Sequence, residues 1–313
     1  MRFLYFLICL SLVTNNTFAQ KIQLKIEKNA AYFIEENDSI LVYQIAEKSI
    51  NGKYTRNNYI HPLYSLEGKV LTEDFPKDHL HHRGIFWAWH QLYVGEKRLG
   101  DGWELENFHQ EITDVKKLKD KRKAKSIKTT VLWKSNLYLD KHGKEKPVVK
   151  ENTIITVYPK EHNYRQIDIE ISIIALEPNI HIGGSEDAKG YGGFSPRIKL
   201  SKNTKFTGPQ GTVIPKNLPV NSKGWIDISE SFDDKNTSNG IAILCHPNNP
   251  GYPNPWILRT KKSMQNAVFP SPGATAIPLS QKKPITLRYR LLIHKGDETS
   301  INISQIYDRY NNQ

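Results

Sequence analysis

The sequence predicts an all-β protein: a large antiparallel β-sandwich with long loops and a short C-terminal helix. Three observations carry this prediction. Two segments alternate apolar and polar residues strictly, clusters of Gly, Pro, Asn and Asp cut the chain at the intervals of a sandwich, and helical periodicity occurs only near the C-terminus.

The N-terminus reads as an export signal. Met1-Arg2 give a positive start, Phe3 to Val13 are apolar but for Ser11, and Thr17-Phe18-Ala19 place small residues at −3 and −1 of a cleavage site. The apolar run spans only about half of the ~30 Å hydrocarbon core, which argues against a membrane anchor. Cys9 has no lipobox-like surroundings. Residues 1–19 are therefore expected to be a signal peptide and residues 20–313 one catalytic β-sandwich domain, periplasmic or secreted. With Cys9 removed, Cys245 is the single cysteine left, so no intramolecular disulfide can form.

Residues 167–174, Ile-Asp-Ile-Glu-Ile-Ser-Ile-Ile, are the clearest half-buried strand. Residues 285–293 repeat the pattern, with Leu287, Tyr289, Leu291 and Ile293 on one face. Weaker strands are expected at 22–27, 39–46, 127–133, 153–158, 195–200 and 240–245. The Lys/Arg-rich run 115–128 reads as a solvated hairpin or exposed strand edge. Residues 202–224 and 247–255 read as long loops, which in compact domains are often functional. Ile303, Ile306, Tyr307 and Tyr310 follow the i, i+3, i+4, i+7 spacing of a short helix, capped at Thr299 or Ser300.

The formal net charge is +12. No nucleic-acid-binding motif accompanies it, and no stretch after the signal is apolar enough to span a membrane. The charge either keeps the chain soluble or draws in an anionic substrate such as a uronate or sulfated polysaccharide.

Candidate chemistry concentrates in one block. Six of the eleven histidines fall between His61 and His109. The centre is Asp78-His79-Leu80-His81-His82-Arg83-Gly84, followed by Ile85-Phe86-Trp87-Ala88-Trp89-His90, with Trp103 close by. Tryptophan faces pack against the C–H faces of sugar rings, so Trp87 and Trp89 are candidate substrate platforms, although they can equally be core. His81 and His82 are candidate acid/base groups because imidazole titrates near neutrality. Arg83 is a candidate fork for a substrate carboxylate. No cofactor is expected. The alternative is a divalent metal such as zinc: His79-x-His81 on a strand would turn both rings to one face, with His90 or Asp78 completing the set.

Two further segments are expected to converge on this block. In Gly183-Gly184 to Arg197, five glycines frame Tyr191, a candidate catalytic residue, and Arg197, a candidate substrate ligand. The segment lacks a phosphate-loop pattern and opens no helix, so its glycines are expected to let backbone approach a ligand. In Cys245-His246-Pro247-Asn248-Asn249-Pro250, His246 is either a turn residue or a loop-borne catalytic group. Trp256 and Arg259 beyond it are candidate substrate ligands.

The block from His61-Pro62-Leu63-Tyr64 through Asp78 to His81-His82-Arg83-Gly84 resembles a family known as PmoA-like, also called methane oxygenase. So do Lys189-Gly190-Tyr191-Gly192-Gly193, Gly240-Ile241-Ala242-Ile243 to His246-Pro247, Asn249-Pro250 and Pro255-Trp256. The resemblance spans nearly all of residues 20–313. An oxygenase embedded in a membrane needs several spanning helices, which this sequence does not supply. The family's setting implies polysaccharide degradation, and the Lys- and Asn-rich style is similar to marine flavobacterial proteins. In that setting the chain resembles the oligosaccharide dehydratases of ulvan-type utilisation systems.

The resulting expectation is a carbon–oxygen lyase that performs β-elimination on uronic-acid-containing oligosaccharides such as ulvan fragments, losing water across C4–C5. Arg83 or Arg197 would neutralise the carboxylate, His81 or His82 would take the C5 proton, and Tyr191 or His246 would protonate the leaving group. Three alternatives stand beside it: a glycoside hydrolase using two of Asp78, Glu104, Glu186 and Asp187, a mutarotase-like epimerase, and a non-catalytic carbohydrate-binding protein.

Overall fold

The computed structural model describes residues 21–231, 238–261, 264–296 and 300–312. The expected signal peptide and Thr299 lie outside the described residues. The fold is nearly all β, as the alternation predicts. A nine-stranded sheet runs in the spatial order His109–Lys117, Lys125–Lys134, Val149–Val157, Tyr164–Ala175, Ile285–Lys295, Ser238–Cys245, Trp225–Ser231, Lys205–Gly208 and Gly211–Thr212. Its neighbours pair antiparallel, with Ile169 opposite Tyr289 on one side and opposite Ile155 on the other.

An eight-stranded sheet packs over it, in the order Ile22–Ile26, Ala30–Glu35, Asp38–Gln44, Tyr59–Leu63, Ile85–Trp89, Gly192–Pro196, Asn266–Val268 and Trp256–Ile257. Between the sheets lies one large core. The nine-stranded sheet contributes alternate residues such as Ile127, Val131, Ile155, Ile169, Ile171, Leu287 and Leu291. The other face of these strands stays half-exposed, which is why the period of two was visible in the sequence.

Lysine-rich residues 118–124 join two long strands of the nine-stranded sheet, so the basic run is the expected hairpin. The C-terminal helix is Ile303–Asn311, and Ile303, Ile306, Tyr307 and Tyr310 bury its apolar stripe on Trp225, Leu244 and Leu292. Its cap is Asn302 rather than Thr299 or Ser300: the Asn302 side chain accepts from the Gln305 backbone N–H.

The strand expected at 195–200 is instead Gly192–Pro196, and the strand Ile85–Trp89 was not predicted. Both are buried at all five residues, so neither alternates. They pair with each other, Phe194 opposite Trp87, at the middle of the eight-stranded sheet. This pair positions the site. Trp87 and Trp89 point into the inter-sheet core, while Phe86 and Ala88 point to the opposite face, where they pack with Tyr59, Trp103, Met264 and Tyr191.

Candidate functional site

A cleft of about 440 Å³ opens above Phe86 and Ala88 on the outer face of the eight-stranded sheet. His79, His81, His82 and His90 line it with Trp103 and Glu104, and so do Tyr191, Asp187, Lys189, Arg259 and Lys261.

The three clustered histidines sit on a turn, not on the strand expected for a metal pair. The His79 N–H bonds Pro76 O at 3.0 Å and the His82 N–H bonds His79 O at 2.9 Å. The turn runs straight into the strand at Gly84, whose φ is +52°; a Cβ there would sit 2.1 Å from Ile60 O, so only glycine fits. The rings of His79 and His82 stack at 4.7 Å, and His81 meets His82 edge-on at 4.5 Å.

Each histidine ring is anchored through Nδ1. His81 Nδ1 lies 3.0 Å from Glu104 Oε2, His79 Nδ1 lies 2.7 Å from Asp78 Oδ2, and His90 Nδ1 lies 2.9 Å from Asp101 Oδ2. A carboxylate at Nδ1 fixes the proton there and leaves Nε2 as the basic nitrogen. His82 differs. Its Nδ1 faces Arg197 Nη1 at 3.1 Å, and a guanidinium can only donate, so neutral His82 carries its proton on Nε2. Burial, then the neighbouring His81 and Arg197, push the His82 pKa down to about 2. His82 is thus a neutral hydrogen-bond donor, which removes it as the expected base.

Glu104 is held below the usual carboxylate range, chiefly by its hydrogen bond from His81. Asp101 Oδ1 in turn accepts the backbone N–H groups of Trp103 and Glu104 at 2.8 and 2.9 Å, fixing the loop that presents both. Burial opposes ionisation of Asp78, but bonds from His79 and Arg197 outweigh it and bring its pKa to about 2.

The expected arginine ligands are structural. Arg83 is 0% exposed and ion-pairs with Asp74. Its Nη1 donates to Lys48 O and Tyr54 O at 3.0 Å each, its Nη2 to the Tyr59 hydroxyl, and its guanidinium lies 3.4 Å from the Phe75 ring centroid. No donor is left for a substrate. Arg197 is 2% exposed and spends its donors on Glu73, Asp78 and His82. It positions His82 and Asp78 from below rather than meeting a ligand.

The tryptophan candidates are corrected likewise. Trp87, Trp89 and Trp256 are buried core, and the Trp87 and Trp89 indoles donate to Glu151 Oε1 and Phe269 O at 2.8 Å each. His246 is buried away from the cleft, edge-on to Tyr310 at 5.0 Å, and its Nδ1 accepts from the Asn248 N–H. Burial, then Arg288 and Arg290, lower its pKa and favour the neutral ring. The alternative metal set His79, His81 and His90 does not converge: among the described residues, no group of three or more His, Cys, Asp or Glu side chains is placed to hold a metal ion.

Four of the expected catalytic and substrate-binding residues line the cleft: His81, Tyr191 and Arg259, and His82 as a neutral donor. Arg259 lies 5.5 Å over the Tyr191 ring, and Tyr191 lies 5.5 Å from Trp103. The glycine segment presents Tyr191 by packing on other backbone rather than on a ligand: a Cβ on Gly273 would fall 2.0 Å from Gly190 O. Asp187 closes that loop by accepting from Ser185 Oγ and from the Lys189 and Gly190 N–H groups. Lys189, Lys261 and the Glu104–His81 pairing were missed as site features, whereas Trp103, noted beside the histidine block, does line the cleft. Glu104 stands next to Trp103 in sequence, but nothing local ties it to a histidine on another loop.

Among the described residues no helix is long and apolar enough to cross a membrane. A comparison with curated proteins finds no match. Among solved structures, the α-galactosidase from Lactobacillus brevis is similar at a TM-score of 0.36 and 7% identity, over 90% of this chain and 40% of that one. The GH36 α-galactosidases AgaA and AgaB from Geobacillus stearothermophilus give TM-scores of 0.34 and 0.35, each at 8% identity over 88% of this chain and 41% of theirs. The chain thus spans about two fifths of the length of these enzymes, and likeness at this level carries no argument about activity. Residues 34–308 match the family of unknown function DUF6807, and the chain belongs to that family.

Proposed function

We propose that the protein is a lyase that eliminates water across C4–C5 of a uronic acid residue in an anionic oligosaccharide, ulvan fragments being the first candidates, and that it acts after export. The observation that carries this reading is the His81–Glu104 pair, which lines the same cleft as Arg259, Lys189 and Lys261. It supplies a carboxylate-oriented base and cations in one concave space, which is what proton abstraction next to a carboxylate requires.

In this mechanism the substrate carboxylate sits against Arg259 and Lys261, which take the role first expected of Arg83 and Arg197. Withdrawing its charge acidifies the C5–H bond. His81 Nε2 takes the C5 proton, while Glu104 holds the imidazolium that forms. The electron pair of the C5–H bond becomes the C4=C5 π bond as the C4–O bond breaks. Tyr191 gives its phenolic proton to the departing hydroxyl, which leaves as water. Proton exchange with solvent then returns His81 and Tyr191 to their starting states. His82 Nε2–H adds a fixed neutral donor beside the base. Acid/base help accounts for about 10²–10⁴-fold, so carboxylate neutralisation and positioning carry the remainder. A pair of free carboxylates, as a hydrolase needs, is less well supported, because Glu104 is committed to His81 and Asp187 to its own loop.

The test is incubation of the purified protein with uronate-terminated oligosaccharides. The expected product absorbs in the ultraviolet as an unsaturated uronate and is lighter by one water in mass spectrometry. Release of a saturated sugar, or binding without any product, would overturn the lyase reading.

A further inference from the structure

A second hollow has a volume of about 500 Å³. It is lined by residues 209–214, 216 and 219–222, on the segment that runs from the short strand Gly211–Thr212 to the bridge of Val220 with Trp256. Pro209, Val213, Ile214, Lys216 and Pro219 are among its walls. One side chain ties the cleft to the loop of this hollow. Arg259 lines the cleft, and its Nη1 and Nη2 donate to Lys216 O at 2.8 Å and Asn217 O at 3.1 Å. The guanidinium stacked on Tyr191 therefore also fixes the near wall of the second hollow.

The chemistry of this hollow is unlike that of the cleft. It contains no histidine or carboxylate, so it has no acid/base apparatus. Ile214 is 73% exposed and Leu218 54%, the two most exposed large apolar side chains among the described residues, and both belong to this loop. Apolar groups held in water beside a concave surface that carries Lys216 mark a place for a ligand with an apolar face. A sugar ring offers a C–H face for Ile214 in the hollow and for Leu218 exposed beside it on the same loop, and an anionic substituent suits Lys216.

We propose that residues 209–222 form a distal subsite for sugar units beyond the one that reacts, so that the protein binds an anionic oligosaccharide chain across Arg259 rather than a single uronate. The inference rests on the reading of the cleft as an anionic-sugar site, and it adds where the rest of the chain goes. Occupancy of the distal hollow orders the 216–217 backbone, which Arg259 holds, and so seats Arg259 over Tyr191. Chain length is thereby coupled to placement of the reacting carboxylate.

The experiment is calorimetric titration of the full protein with size-fractionated uronate oligosaccharides, disaccharide to hexasaccharide, from ulvan, alginate and pectin. Affinity should rise about tenfold once the chain reaches the distal hollow. That gain should vanish in an Ile214→Ser/Leu218→Ser double variant and shrink in Lys216→Glu, whose side chains are not part of the core; thermal unfolding checks that both variants fold. Length-independent affinity, a gain unchanged in the variants, or no binding by any member of the panel would overturn the subsite. So would a wild-type dimer in sedimentation that the double variant abolishes, since Ile214 and Leu218 would then face a second copy. Binding that grows with length without unsaturated product would sink the lyase chemistry and leave the subsite standing.

Discussion

Replacing His82 by asparagine and following unfolding against pH tests whether this imidazole is buried in its neutral form. His82 is 5% exposed and its Nδ1 accepts from Arg197, so a proton has no room there. Its pKa falls from 6.5 to about 2 on folding, driven first by burial and then by His81 and Arg197. The unfolded chain therefore binds a proton that the folded chain refuses. For a depressed histidine the stability is intact above the unfolded value of 6.5 and is lost as pH falls below it. Each unit is worth about 1.4 kcal/mol, so this group removes about 2 kcal/mol between pH 7 and pH 5. Asparagine keeps an acceptor for Arg197 but does not titrate. His61, whose pKa burial also lowers to about 4, adds a similar slope in both proteins and cancels in the difference. Urea unfolding at a series of pH values should give a wild-type curve that drops more steeply than that of His82→Asn. Parallel curves would refute the assignment of His82 as a neutral donor.

Other perturbations follow from the same contacts. His81→Ala should lower kcat about 10²–10⁴-fold, and Glu104→Gln should lower kcat with little change in KM, because it releases the orientation of the base; steady-state kinetics on the uronate product reads both. Arg83→Met should cost about 3–5 kcal/mol of stability by stranding Asp74, seen as a lowered denaturation midpoint; normal stability with a raised KM would return Arg83 to substrate binding. Glu151 is buried in the core, where Oε1 accepts from Asn58, Trp87 and Thr153 and Oε2 from the Trp133 indole at 2.9 Å. Glu151→Gln turns one acceptor into a donor facing N–H groups, and calorimetry should register a loss of about 1–3 kcal/mol.

The strands that were legible in the sequence are those with one face in the core and one toward water. Residues 167–174 alternate because their outer face is half-exposed; in 285–293 the alternation rests on Thr286, Arg288 and Arg290, although Arg290 and Leu292 on that face are covered, Leu292 by the terminal helix. The strand Ile85–Trp89 is buried on both faces, so its sequence is continuous and aromatic, and that pattern is shared by a core strand and a sugar platform. Trp87 and Trp89 took the wrong side for this reason: a register that puts Phe86 and Ala88 toward the cleft necessarily sends the tryptophans inward.

Arginines posed a related problem. A histidine-rich block with Arg83 inside it has the composition of an anion site, yet the partners that consume Arg83 come from Lys48, Tyr54, Tyr59 and Asp74. None of these is adjacent in sequence, and each competes for donors that sequence reading assigned to a ligand. His246 stands beyond the far side of the same limit: its loop ends a strand of the other sheet and packs on the C-terminal helix.

By itself the sequence determined the β class, the alternating core strands, the basic hairpin, the stripe of the terminal helix and the neighbourhood of the site. These are properties of local periodicity, turn chemistry and composition, which a single segment carries. Tertiary structure alone decided which groups inside that neighbourhood are free to act. Pairing of His81 with Glu104, capture of His82 by Arg197, burial of Arg83 and delivery of Arg259 to Tyr191 all join residues far apart in the chain. A hydrogen-bond donor can be spent only once, and where it is spent depends on which loops the two sheets bring together.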